Sequence, residues 1–163
     1  MSTILNSNGI NLEIPMISSD VTGNFYVITS EWNTSITHSL RDSAIEVLKQ
    51  GGISPERIKS ISVPGTVELV NAAAISIKAD AAAIIVIGCV IRGDTPHFDY
   101  VCSIAAQGVA QLNSRGEAPV IFGVLTVNNL SQAQERAGGI LGNKGGEAAA
   151  AAITMANLRE AIC

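Results

Sequence analysis

The sequence predicts an α/β protein, a single-domain three-layer α/β/α sandwich with a four-stranded parallel sheet in flavodoxin-like order. Three observations carry that reading. Short β-branched runs alternate with longer stretches whose apolar residues recur at helical spacing, so strands and helices follow one another along the chain. The run AAAIIVI at 81–87 is continuously apolar, as a strand buried on both faces must be, and burial on both faces marks a parallel sheet. No internal repeat or linker divides the 163 residues, a length that supports one domain with a real core.

The elements follow in order. Residues 1–20 are polar with scattered apolar positions (Ile4, Ile10, Leu12, Ile14) and read either as an arm that pairs with a neighbouring subunit or as a loose tail. The domain proper is expected over 21–163. Residues 25–29 form the first core strand and run into the loop 30–33. Asn33 or Thr34 can cap a helix whose apolar positions Ile36, Leu40, Ala44, Ile45, Val47 and Leu48 share one face, and Gly51-Gly52 stops it. A second strand spans 58–63, Pro64-Gly65 turns the chain, and a helix follows over 66–79 with Glu68 in its first turn. The third strand, 81–87, opens into a loop, GCVIRGDTPHFDY at 88–100, that leads into a helix at 99–112. Residues 120–125 are the fourth strand, Ser131 starts a short helix that runs to 137, and five glycines between 138 and 146 precede a last helix at 147–162.

Composition narrows the function. The chain is 47% hydrophobic and only 15% charged, with mean hydropathy +0.35. One small domain cannot hide so much apolar surface, and the surplus predicts a homo-oligomer. Lys78-Ala79-Asp80 interrupts the longest apolar stretch before it reaches the ~18 residues a membrane span needs. The first twenty residues lack the pattern of a secretory leader. Cys89, Cys102 and Cys163 have neither disulfide-framework nor zinc spacing, which fits a reducing cytoplasm. A net charge of −4 without a basic block argues against nucleic acid.

Parallel topology brings the loops after all four strands to one sheet edge, where open α/β sheets bind ligands. Those loops supply Trp32 and Asn33, the turn 64–68, the segment 89–97 and residues 126–129. There is no G-x-G-x-x-G after the first strand and no Walker lysine, so nothing supports a dinucleotide or P-loop site. Each residue alone has a plainer explanation: His97 as an exposed loop histidine, Trp32 as a packing aromatic, Glu68 as a helix-start acid, Arg136 and Lys144 as solvated cations. Composition and spacing by themselves reach an α/β oligomer with an anion-binding edge.

Particular residues go further. VPGTVEL (63–69), GCVIRGDTPHFDYV (88–101), APVIFGVLTVNN (118–129), QERAGG (134–139) and GNKGGEAA (142–149) together closely resemble the lumazine synthase family of riboflavin biosynthesis, in order and spacing, from residue 23 on. The resemblance implies condensation of 5-amino-6-(D-ribitylamino)uracil with 3,4-dihydroxy-2-butanone 4-phosphate, with neither metal nor organic cofactor. It also implies that Trp32 stacks on the pyrimidine, that Thr66, Val67 and Glu68 receive the ribityl chain, and that Cys89, Val90 and Ile91 hold the uracil edge. Asp94 and Thr95 match a phosphate loop, Arg136 a phosphate-binding arginine, Lys144 a lysine that positions substrate, and His97 the proton-transfer residue. Phe122 matches a phenylalanine that reaches a site across a subunit boundary. The chain departs from the family pattern at Val67, where many relatives carry an aromatic, and at Asp94, where small neutral residues are frequent. Homopentamers with shared active sites, some assembled into 60-subunit icosahedral shells, are the implied assembly, with riboflavin synthase as a candidate partner. The competing expectation is a non-catalytic flavin-binding or shell-forming protein on the same fold.

Overall fold

The computed structural model describes residues 12–163. Strands β1 (Asn24–Ser30), β2 (Ile58–Val63), β3 (Ala81–Ile91) and β4 (Val120–Val127) form one parallel sheet in the order β2-β1-β3-β4, the flavodoxin-like order expected. Helices α1 (Thr34–Gln50), α4 (Leu130–Arg136) and α5 (Lys144–Ile162) cover one face. Helices α2 (Glu68–Ala79) and α3 (His97–Asn113) cover the other. A 3-10 turn at Pro55–Arg57 leads into β2, and two very short antiparallel strands, β5 (Ala137–Gly139) and β6 (Gly142–Asn143), precede α5.

The strand period of two explains the layers. Along β3, Ile85, Ile87 and Cys89 pack toward α1 and α5, while Ile84 and Val86 pack toward α2 and α3. Asn24 stands opposite Ala81 but Phe25 stands opposite Ala83, so Ala82 is an extra residue that resets the alternation and joins Ala83 on the α1/α5 side. Small residues then let α5 lie close on α1. A Cβ on Gly145 would land on the Leu40 carbonyl, and Ala148, Ala149, Ala152 and Ala156 are buried along the same contact.

Several boundaries differ from expectation. β3 continues through Gly88 to Ile91, so the loop begins at Arg92, and α3 starts at His97, two residues before the expected position. α2 starts at Glu68 and α5 at Lys144, three residues earlier than the glycines suggest. Asn129, rather than Ser131, caps α4 by accepting the Gln132 N–H at 2.9 Å. Of the expected arm, residues 1–11 lie outside the described residues. The rest runs along its own chain: Asn157 accepts from Ser18 N–H and donates to the Met16 carbonyl, both at 2.9 Å, and Ile17 N–H donates to Gly51 O at 2.8 Å.

Candidate active site

In the order β2-β1-β3-β4 the chain leaves β1 toward one side of the sheet and returns to build β3 and β4 on the other. The carboxyl ends of β1 and β3 are thus the switch point at which such sheets hold ligands. A cavity of about 460 Å³ opens there, within the size range of small-molecule sites. Its walls are Trp32, Asn33, Gly65, Thr66, Val67, Glu68, Cys89, Val90, Ile91, His97 and Val101.

Each wall has a local cause. Asn33 is the one non-glycine residue with positive φ among the described residues (φ 59°, ψ 50°), a conformation that asparagine tolerates better than most. Its carbonyl accepts from Ile36 and Thr37 N–H to start α1, while its side-chain Nδ2 donates to Cys89 O at 2.9 Å. Contrary to the expected side-chain cap, Asn33 starts the helix through its carbonyl alone, and its side chain pins the loop after β1 to the end of β3. That sharp turn leaves Trp32 on the rim, 72% exposed. Gly65 makes room beside it: a Cβ there would sit 2.8 Å from Glu68 Oε2 and 3.6 Å from Trp32 Cδ1.

The floor is tight. Thr66 and Cys89 are buried, and a Cβ at Gly88 would meet Thr66 Oγ1 at 3.0 Å. Burial pushes the Cys89 thiol up to about 11, so it stays protonated and serves as a wall rather than a nucleophile. The β1–β3 ladder ends at Ile87, whereas β3 keeps its partner β4 through Ile91. The main chain beyond Ile87 thus has one edge facing the cavity, where it can pair with the polar edge of a planar ligand.

His97 is the first residue of α3 and is exposed into the cavity. Asp94 and Thr95 lie in the exposed loop before it, outside the cavity wall. Among the described residues, the backbone N–H groups of Gly93, Asp94 and Thr95 have no intramolecular acceptor, which leaves them available to an anion. Arg92, beside this loop, is already engaged: Nη2 lies 3.0 Å from Asp99 Oδ1, and the guanidinium stacks over the Phe98 ring.

Besides Asp94 and Thr95, three more residues expected at the site are not brought to this cavity. Phe122 lies on β4 opposite Val86 and packs against the α2/α3 layer. Arg136 ends α4, where it donates to Gln132 O at 2.9 Å and faces Glu135 at 3.5 Å. Lys144 is 7% exposed and sits 2.7 Å from Glu147 Oε1. Glu147 went unread in the sequence, although an acid three residues after a lysine on a helix is a pairing signal. A second cavity, of about 340 Å³, lies at the opposite end of β4 against α5 and contains none of the expected residues.

Fold and cavity together define a doubly wound α/β protein with a cavity of small-molecule size at the switch point of its sheet. Residues 22–160 match the family model described as 6,7-dimethyl-8-ribityllumazine synthase. Relatives with that name include those of Phocaeicola vulgatus, 50% identical over 85% of this chain and 83% of the relative, and Bacteroides fragilis, 53% identical over 80% and 92%. Another, from Cytophaga hutchinsonii, is 46% identical over 88% of this chain and 89% of its own. The chain belongs to the 6,7-dimethyl-8-ribityllumazine synthase family. No helix among the described residues is long and apolar enough to cross a membrane.

Proposed function

We propose that the protein is an enzyme of riboflavin biosynthesis, a transferase that condenses 5-amino-6-(D-ribitylamino)uracil with 3,4-dihydroxy-2-butanone 4-phosphate. The products are 6,7-dimethyl-8-ribityllumazine, inorganic phosphate and water. The observation that carries this reading is the convergence of Trp32, Thr66, Val67, Glu68, Cys89, Val90, Ile91 and His97 on one cavity from four separate parts of the chain. A cavity of about 460 Å³ is of the size that takes small-molecule substrates.

The pyrimidine stacks on Trp32, whose exposed ring offers its face while leaving the substrate's polar edge to the main chain after Ile87 that β1 does not pair, where Asn33 already occupies the Cys89 carbonyl. The Glu68 carboxylate and the Thr66 hydroxyl accept hydrogen bonds from the ribityl chain, and Val67 packs beside it. The phosphate is taken by the free N–H groups of the 93–95 loop, with the Thr95 hydroxyl; Asp94 contributes only its backbone, because its carboxylate would repel a dianion. Amine and ketone held together form a Schiff base with loss of water, phosphate leaves, and the second amine closes the ring with a further loss of water. Each step moves protons, and the imidazole of His97 at the cavity wall is the group that carries them. Holding the two reactants in contact supplies much of the remaining acceleration.

Phe122, Arg136 and Lys144 are assigned to a neighbouring copy's cavity: the resemblance puts Phe122 across a subunit boundary, and Arg136 and Lys144, which likewise do not line the cavity of their own chain, are read with it. Arg136 then clamps the neighbour's phosphate through its planar fork, and Glu147 holds the Lys144 ammonium in a fixed direction. The working unit is a homo-oligomer, a pentamer or a 60-subunit shell of pentamers, in the cytoplasm, with riboflavin synthase as the consumer of its product. Mixing the two substrates with purified protein tests the activity. The absorbance and fluorescence of the lumazine should grow well above the spontaneous background; growth at the background rate would refute catalysis and favour a shell-forming or flavin-binding relative.

A further inference from the structure

We propose that Arg92 is a positioning residue of this site: bridging the end of β3 to the first turn of α3, its guanidinium holds His97 in working register. This rests on the function proposed above and adds a residue to which no role in it has been given. The root of the bridge is fixed to the sheet, since Arg92 N–H donates to Val127 O at 2.8 Å and so extends the β3–β4 ladder by one residue. Its tip has two holds on α3. Nη2 lies 3.0 Å from Asp99 Oδ1, and Cζ lies 4.1 Å from the centroid of the Phe98 ring. Successive helical residues project about 100° apart, so holds on 98 and 99 together resist both rotation and sliding of the first turn. A planar guanidinium suits both at once, stacking with its face and donating from its edge.

His97 is the residue just before these two, and its direction depends on where that turn sits. Nothing else spans the gap: among the described residues, Gly93, Asp94 and Thr95 form no intramolecular hydrogen bond, and a Cβ on Gly93 would meet nothing within 4 Å. The loop itself supplies no tie between its ends, and the buried residues of α3 begin at Ala105, about two turns beyond His97. Arg92 and Asp99 are both substantially exposed, and an exposed ion pair adds little to stability. Loss of the bridge should therefore register in turnover far more than in folding. The same pairing keeps Arg92 off the phosphate, the task its place in the loop first suggests.

Steady-state kinetics of Arg92→Ala, Arg92→Lys and Asp99→Asn, with wild type alongside, test the assignment. Arg92→Ala should lower kcat roughly ten- to a hundredfold, as a small misplacement of a proton-transfer group does, with KM for the phosphate substrate changed by less than about threefold. Arg92→Lys should recover part of the loss, because an ammonium pairs with Asp99 but lacks the stacking face. Asp99→Asn should also lower kcat, and thermal midpoints should stay within a few degrees of wild type. Wild-type kcat in Arg92→Ala overturns the proposal. So does a raised KM for the phosphate substrate at unchanged kcat, which would make Arg92 a direct ligand, or a lowered KM in Asp99→Asn, which would mean that the acid withholds the arginine from phosphate. A wild-type protein that forms no product overturns the functional reading itself, and this inference falls with it; a wild type that turns over beside an unaffected Arg92→Ala refutes only the inference.

Discussion

At the cavity wall two residue types divide the work by how much water reaches them. His97 is exposed and has no hydrogen-bond partner among the described residues, so it is free to exchange protons with a bound substrate. Replacing it by alanine should lower kcat by roughly a hundredfold or more while leaving both KM values close to wild type, as expected for loss of a general acid–base group; steady-state kinetics report the split. Arg136→Ala should do the reverse, raising KM for the phosphate substrate about tenfold or more with a smaller change in kcat, since a bidentate charge-assisted contact is lost. Cys89 is the opposite case. Burial raises its thiol from 9.0 to about 11, so the folded chain keeps a proton that the unfolded chain loses between those values. Its contribution to stability is complete below about pH 9 and disappears as pH climbs toward 11. Urea denaturation from pH 8 to 11 should show wild type losing on the order of 2 kcal/mol more than Cys89→Ala over that range. Trp32 and His97 could be singled out from the sequence as loop residues at the right sheet edge. The role of Asn33 could not, because a positive φ and a side-chain bond to the Cys89 carbonyl depend on a strand 56 residues away.

Among the elements, glycine misled in two places, for one reason. Gly88 reads as a strand end and Gly145-Gly146 as helix breakers, yet each lies inside regular structure because a neighbour comes too close for a Cβ. At Gly88 the neighbour is Thr66; at Gly145 it is the backbone of Leu40 in α1. Hydrophobic period reports which face is buried but not how near the opposite element lies, so the core of each strand and helix was legible while these ends were not. The start of α3 lies two residues before the one read from the sequence: Pro96 precedes the first helical residue, its carbonyl accepts from Asp99 and Tyr100 N–H, and Asp99 falls within the first turn rather than at its beginning. Gly145→Ala should push α5 off α1 and destabilise the fold by about 1–3 kcal/mol, the usual cost of overpacking, measurable as a lower urea midpoint at unchanged slope.

The molecule as a whole carries more apolar surface than one copy covers. Ile75 on α2 and Tyr100 and Ile104 on α3 are exposed, and so are Met155, Leu158 and Ile162 on α5. The same surplus is what makes composition point to an oligomer. The proposed division of the active site between copies is not legible in composition, because the periodicities that locate strands and helices stop at the chain's own surface. The division rests instead on position: His97 lines the cavity, and Arg136 does not. Co-expression of His97→Ala with Arg136→Ala chains tests it most directly. With each site built from one copy's His97 and a neighbour's Arg136, random assembly of two impaired chains rebuilds intact sites at about a quarter of positions, and the mixture should recover lumazine formation well above either parent. A mixture no more active than the average of its parents would contradict a shared site.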